Sequence, residues 1–217
     1  MSVSSAGAAL QFDRDVEPAL KNQMIQDLQF IGAIRSTKSS ALHQQIFGNV
    51  NGMDYTRWFE SRVFYVGKQS CGSSIAVACV DPRYDNKIWM TQNYTRFDHP
   101  QIARLSVVFH EARHTERAQG NWSHAFCPDP FVDEEGKPVV SIWTGARLAG
   151  QAACDVTPFG SYGSQTILLK NIALNCENCS SKVKADADIF ANDQLGRIID
   201  PEAKQQMKND FGMSVAI

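Results

Sequence analysis

The chain has 217 residues, of which 43% are hydrophobic and 20% are charged, as in an ordinary soluble globular protein. Its 21 basic and 23 acidic residues give a net charge of -2, which leaves no broad basic surface to neutralise the phosphates of a nucleic acid. No apolar run is long enough to cross a bilayer. We therefore expect no nucleic-acid partner and no membrane insertion.

The first part of the chain predicts one helix and two strands. Apolar residues recur every three to four positions over 16–35, which indicates an amphipathic helix. Residues 53–67 mix aromatic residues at helical spacing, and their element type stays open. Two short β-rich runs follow, SSIAVACV (73–80) and KIWMTQNY (87–94), separated by a turn-forming DPRYDN. We expect the two runs to form neighbouring strands.

A long helix is predicted from Asp98, a plausible N-cap, to Gly120, a natural terminator, and its middle is apolar on most faces. Residues 129–141 indicate a loop or hairpin that turns at a glycine and a proline. Three further helices are expected at the positions 161–176, 184–200 and 201–211. Together the elements predict an α+β fold.

The six cysteines form three sequence-local pairs, Cys71–Cys79, Cys127–Cys154 and Cys176–Cys179. We predict that these pairs are disulfides; six thiols, or a zinc site at CENC, are the alternatives. Disulfides persist in oxidising compartments, so the pairing favours a secreted or periplasmic protein. The first fifteen residues, however, lack the basic and apolar segments of a signal peptide.

Three of the five histidines lie within residues 110–124. His110 and His114 are four residues apart on the predicted helix, so their rings project from one face and can converge on one ion. Zn²⁺ held by neutral histidines polarises a carbonyl and lowers the pKa of its water toward about 7. Glu111, rotated off the histidine row, is positioned to act as the general base. The alternative is a set of satisfied core or surface polar residues.

The segment HEARH (110–114) resembles the active-site helix of the zincin superfamily of metallopeptidases. The resemblance implies a zincin-like α+β fold, in which a small mixed sheet with an edge strand packs on a long active-site helix, beside several further helices. In such a fold the edge strand aligns the substrate backbone, and KIWMTQNY would fill that role. We expect one domain over 1–217, with an N-terminal helical part (about 10–66), a catalytic core (about 67–180) and C-terminal helices (about 181–217).

The third metal ligand departs from the patterns of the known zincin families. Metzincins place glycine and histidine where this chain has Arg117 and Gly120. Gluzincins use a glutamate on a following helix, and the predicted helix over 161–176 contains none, the next being Glu177. Aspzincins use an aspartate shortly before a Tyr-Gly pair; Asp155 and residues 162–163 offer this with a wider gap.

Two candidates for the third ligand remain open, His124 and Asp155. His124 follows Gly120, where a reversing chain can return it to the metal, and an imidazole suits zinc. A Cys127–Cys154 disulfide would bring both candidates together, in which case Asp155 would orient His124 instead of binding the metal.

Tyr162 lies in GSYGS, at the start of a predicted helix. Its hydroxyl is suited to stabilise the oxyanion of a tetrahedral intermediate, although a packed tyrosine at a helix start is the simpler interpretation. Arg113 and Arg117 belong to an alternating charge pattern that is typical of a solvated helix face; binding of a substrate carboxylate is the alternative.

The sequence thus predicts a zinc-dependent peptidase that acts on a peptide or protein substrate. The alternative is a zinc-holding domain that binds a peptide or protein without cleaving it. Glu111 favours the enzyme, because a purely structural zinc site more often closes with a fourth protein ligand and has no use for this carboxylate.

Overall fold

The computed structural model describes residues 10–72, 76–96 and 99–213, and within them the chain is a mixed α+β structure, as predicted. Eight α-helices, one 3₁₀ helix and six short strands make up this described part. In chain order they are β1 (Gln11–Phe12), α1 (Pro18–Gly32), α2 (Ala41–Phe47), α3 (Gly52–Glu60), β2 (Tyr65–Lys68), β3 (Ala78–Cys79), β4 (Lys87–Met90), α4 (Gln92–Arg96), α5 (Gln101–His114), the 3₁₀ helix (Arg117–Trp122), β5 (Ala125–Phe126), β6 (Ala152–Cys154), α6 (Ser161–Asn175), α7 (Ser181–Gly196) and α8 (Pro201–Asp210).

The first four strands form one mixed sheet in the order β1-β2-β4-β3. β1, β2 and β4 are parallel, and β3 is antiparallel to β4, with Ala78 opposite Met90 and Cys79 opposite Trp89. The two β-rich runs are therefore neighbours, as predicted, although 73–75 lie outside the described residues.

The assignment of the edge strand to KIWMTQNY is wrong. Residues Lys87–Met90 pair with a strand on each side, and three of these four residues are buried, so they occupy the interior of the sheet. The rest of that run turns into helix α4. Within the described part of the chain, β1 and β3 are the two edge strands of this sheet.

Helix α5 is the centre of the molecule and packs on α1, α6 and α7. Eleven of its fourteen residues are buried, all of them between Ile102 and Arg113, in agreement with the apolar faces seen in the sequence. Its predicted ends are different. Asp98 lies outside the described residues, Pro100 occupies the N-cap, and the helix ends at His114 instead of Gly120. It ends early because the chain leaves the α-helical path in a 3₁₀ segment that reverses direction.

The other predicted elements are largely confirmed. Helix α1 buries Leu20, Met24 and Ile31, and 53–67 divide into α3 and β2. Helices α6, α7 and α8 occupy the three predicted downstream positions, and 129–141 contain a bridge between Val132 and Pro138 around Gly136.

All six cysteines form disulfides, in the three predicted pairs. This usage is typical of an extracellular or otherwise oxidising environment. Among the described helices, none combines the length and the apolar character needed to cross a membrane.

A buried ion pair fixes α5 against the N-terminal helices. The carboxylate of Asp27 on α1 is fully buried and accepts hydrogen bonds from Arg104 Nε and Nη2 at 3.0 Å each and from Tyr94 OH at 3.0 Å. One carboxylate thus joins α1, α4 and α5.

Removing the cation of this pair should destabilise the fold. We expect Arg104→Met to lower the free energy of unfolding by about 3–5 kcal/mol, because it leaves the Asp27 carboxylate buried without its counter-charge; urea unfolding measures this. Lys182→Met is the matched control, since its pair with Asp186 lies at the surface and should contribute almost nothing. Equal stability of the two variants would contradict the anchoring role of Asp27.

Candidate metal centre

Three histidine rings converge at the C-terminal end of α5. The Nε2 atoms of His110 and His114 are 3.2 Å apart, and each lies within 3.2 Å of His124 Nε2, at 3.2 and 3.1 Å respectively. These three residues form a group that can hold a metal ion. Three nitrogens at about 2.0–2.1 Å from one tetrahedral zinc ion lie about 3.3–3.4 Å from one another. The spacing in the structure is close to that value.

The outer nitrogen of each ring faces a hydrogen-bond acceptor. His114 Nδ1 lies 2.7 Å from the carbonyl oxygen of Asn121, His124 Nδ1 lies 2.9 Å from Asp155 Oδ1, and His110 Nδ1 lies 3.0 Å from Gln165 Oε1. A carbonyl or carboxylate can only accept, so Nδ1 carries the proton and Nε2 carries a lone pair. In neutral rings the three Nε2 lone pairs would face one another, an arrangement that a cation between them would stabilise.

Burial keeps two of these rings neutral, the form that binds metal. It lowers the pKa of His114 to about 4, and the neighbouring His124 acts in the same direction. The pKa of His110 lies well below its usual range because of burial and because of the His114 and His124 rings beside it. Both rings are therefore available as ligands at neutral pH.

A left-handed turn returns His124 to the helix. Gly120, Asn121 and Trp122 have φ values of 63°, 57° and 47°, a region that disfavours most side chains. Asn121 stabilises the turn through two hydrogen bonds to His114. Its backbone oxygen accepts from His114 Nδ1, and its side-chain nitrogen donates to the His114 carbonyl oxygen at 2.6 Å. The turn and the second ligand are thus held together.

Arg113 and Glu116 support the same turn. Arg113 Nη1 contacts both carboxylate oxygens of Glu116 at 2.7 and 2.8 Å, and Trp122 Nε1 donates to Glu116 Oε2 at 2.7 Å. The Arg113 guanidinium also lies 4.4 Å from the centre of the Trp122 ring. Arg113 is buried, so the expectation of a solvated face is wrong at this position.

Asp155 connects the third histidine to helix α6. One carboxylate oxygen accepts from His124, and the other accepts from the backbone N–H groups of Tyr162 and Gly163 at 2.7 and 3.2 Å. Any larger residue at position 160 would place its Cβ 2.4 Å from Asp155 Oδ2. Because this distance is a steric clash, the position requires glycine. The geometry places Asp155 behind His124 and leaves the histidine facing the metal position.

The disulfide Cys127–Cys154 closes the segments that carry these two residues. Both cysteines are buried; Cys127 follows His124 by three residues, and Cys154 directly precedes Asp155. Strands β5 and β6 pair beside it, with Ala125 opposite Cys154. The covalent link therefore keeps His124 within reach of its carboxylate.

Glu111 borders the same cleft as the histidines. Its side chain is buried, and within the described part of the chain its carboxylate accepts no hydrogen bond from the protein. Burial raises the pKa of Glu111 to about 8. A nearby cation would stabilise the charged form of Glu111 and lower this pKa.

Tyr162 packs against two of the histidines, and its hydroxyl meets a residue that sequence reasoning missed. The tyrosine ring centre lies 4.5 Å from the rings of both His110 and His124. Arg197, at the end of α7, donates from Nη1 to Tyr162 OH at 2.9 Å. Sequence reasoning also missed Gln165, whose side-chain oxygen faces His110 Nδ1. The feature that could have identified Gln165 is its polar side chain within the largely apolar helix α6.

The three histidines border a cleft of about 600 Å³. Its lining includes 76–80, which contain strand β3, and Val107 of α5, together with Trp143, Gln194 and Arg197.

The two candidate third ligands are separable by substitution. We expect His124→Ala to abolish stoichiometric zinc binding at micromolar protein, because it removes a ligand, whereas Asp155→Asn should keep one equivalent and weaken affinity by about 10–100-fold, because it disturbs a ligand's partner. Competition with a chelating dye measures both, and Asp186→Asn on the surface of α7 is the control. Full zinc affinity in His124→Ala would exclude it as a ligand.

No family of known proteins, no curated protein and no solved structure matches the chain. Its function therefore follows from the chemistry of the site itself.

Proposed function

We propose that the protein is a zinc-dependent peptidase with a zincin-like active site. The observation that carries the proposal is the convergence of three histidine Nε2 atoms within 3.2 Å of one another, beside a buried glutamate in the same cleft. Three protein ligands leave the fourth position of a zinc ion for water or substrate, the arrangement of catalytic sites and not of structural ones.

The residues fit the metal and supply the base. His110, His114 and His124 would hold zinc, which when bound polarises a carbonyl oxygen and makes water nucleophilic at neutral pH. Glu111 takes the proton of the attacking water and returns it to the leaving amine. Its lack of a protein hydrogen-bond partner among the described residues leaves both carboxylate oxygens for this work.

Tyr162 stabilises the negative charge that develops on the substrate. Arg197 can only donate, so its bond to Tyr162 OH occupies an oxygen lone pair and leaves the phenol proton for another acceptor. Burial raises the pKa of Tyr162, which keeps that proton in place at neutral pH. A tyrosine beside two metal ligands is thereby oriented as an oxyanion donor.

The substrate backbone extends the sheet at β3. Strand β3 pairs with β4, lies at an edge of the sheet and contributes both of its residues to the lining of the cleft. An extended peptide adds to such an edge through main-chain hydrogen bonds. The disulfide Cys71–Cys79 ends on this strand and holds it in place. The proposed peptidase acts in a secreted or periplasmic setting, consistent with three disulfides.

The carboxylate of Glu111 is the most direct test of the reaction. We expect zinc-loaded Glu111→Gln to keep one equivalent of metal and to lose about 10²–10⁴-fold of its hydrolysis rate, because the amide cannot accept the proton of water. Mass-spectrometric analysis of a digested peptide library, with zinc measured on the same sample, gives both values.

Glu60→Gln, at an exposed position at the end of α3, is the matched control and should keep full activity. Hydrolysis by Glu111→Gln at the parent rate would refute the mechanism. Zinc bound at one equivalent by the parent protein with no peptide cleaved would favour the metal-holding, peptide-binding alternative.

A further inference from the structure

A chain of three hydrogen bonds leads from the backbone of α5 to the first histidine of the metal position. Ser106 Oγ donates to the carbonyl oxygen of Ala103 at 2.7 Å and accepts from Gln165 Nε2 at 2.8 Å. At its other end the Gln165 amide places Oε1 3.0 Å from His110 Nδ1. Ser106 is fully buried, and Gln165 and His110 are only 3% and 7% exposed, so the chain runs through the protein interior.

The backbone carbonyl sets the direction of every proton in this chain. A carbonyl oxygen can only accept, so the single hydroxyl proton of Ser106 points at Ala103 and a lone pair of Ser106 Oγ faces Gln165. That lone pair selects the donating end of the Gln165 amide and leaves the accepting end for His110. Nδ1 of His110 consequently carries the ring proton, and Nε2 carries the lone pair that a metal needs.

Of the three histidines, only His110 has a nearest Nδ1 partner that can face it in two ways. The nearest partners of His114 and His124 are a backbone carbonyl oxygen and the Asp155 carboxylate, which accept in any orientation. The Gln165 amide instead has a donor at one end and an acceptor at the other, and the two ends have nearly the same shape. The serine hydroxyl therefore decides which end the ring meets.

The reversed amide would favour a ring form that blocks metal binding. Gln165 Nε2 would then donate to His110 Nδ1, and the ring proton would lie on Nε2, with the imidazole still neutral. The Nε2 atom of His110 lies 3.2 Å from those of both His114 and His124, so its proton would be donated to one of them. Such a bond competes with a metal ion, because the proton occupies the position of the ion.

We propose that Ser106 is a positioning residue of the metal site, which fixes His110 in its metal-binding tautomer through the amide of Gln165. Ser106 lies four residues before His110, outside the set of described residues that line the cleft, so it acts only through the orientation of its neighbour. The inference rests on the metal site of the proposed function and does not require hydrolysis.

Zinc affinity at neutral pH tests the proposal. We expect Ser106→Ala to weaken zinc binding about tenfold, because part of the metal-free protein then adopts the competing tautomer. Competition with a chelating dye measures the affinity. Ser164→Ala is the matched control, since Ser164 is also buried in a helix and its hydroxyl also donates to a backbone carbonyl oxygen, that of Gly160 at 2.7 Å. This control should bind zinc with the parent affinity.

A second substitution separates control of the tautomer from a general effect on packing. In Gln165→Glu the group that faces His110 is a carboxylate, which accepts at either oxygen, so the tautomer no longer depends on the serine. Adding Ser106→Ala to Gln165→Glu should therefore change zinc affinity by less than about twofold. Circular dichroism reports whether each variant is folded.

The tautomer itself is visible in the nitrogen chemical shifts of the histidine rings. In the metal-free parent protein at neutral pH, two-bond proton–nitrogen NMR spectra should show His110 protonated at Nδ1. Ser106→Ala should add a form protonated at Nε2, whereas Ser164→Ala should resemble the parent. A substitution that merely loosened packing would leave the tautomer unchanged.

Three results would each overturn the proposal: parent zinc affinity in Ser106→Ala, an equal loss of affinity when Ser106→Ala is added to Gln165→Glu, or an unchanged His110 tautomer in Ser106→Ala. The expected affinities and tautomers together with no peptide cleavage by the zinc-loaded parent would contradict the peptidase and leave the role of Ser106 standing. The two failures are therefore distinguishable.

Discussion

The repulsion among three imidazole lone pairs is the constraint on which the rest of the site depends. Each outer nitrogen of His110, His114 and His124 faces an acceptor, so each inner nitrogen directs a lone pair to the same point. Neutral rings at 3.1–3.2 Å are unfavourable neighbours without a positive charge between them. The surrounding structure holds the rings in this arrangement, and a bound cation would convert the repulsion into coordination.

Two kinds of structure supply the ligands. Helix α5 provides His110 and His114 through its own periodicity, and the buried Asp27–Arg104 pair fixes that helix. The third ligand needs a left-handed turn and the Cys127–Cys154 disulfide, because it comes from outside the helix. Strained backbone that surrounding contacts hold in place is common at functional sites. The third ligand is therefore the part of the site most dependent on tertiary structure.

This division explains what could be predicted from the sequence. Spacing identifies His110 and His114, and local pairing identifies the disulfides, since both depend on nearby residues. The end of α5 at His114 could not be predicted from the sequence. Gly120 is a common helix-terminating residue, whereas the actual end depends on the contacts of Asn121 with His114. Arg197 and Gln194 carry no motif and reach the cleft through the packing of α7. The edge strand was misassigned because two short apolar runs look alike until their pairing is known.

X-ray absorption at the zinc edge tests the central claim most directly, since it reports the atoms around the ion in the loaded protein. The account predicts three imidazole nitrogens at about 2.0–2.1 Å and one further light atom. A shell of oxygen or sulfur ligands, or a protein that binds no zinc at saturating supply, would contradict the account.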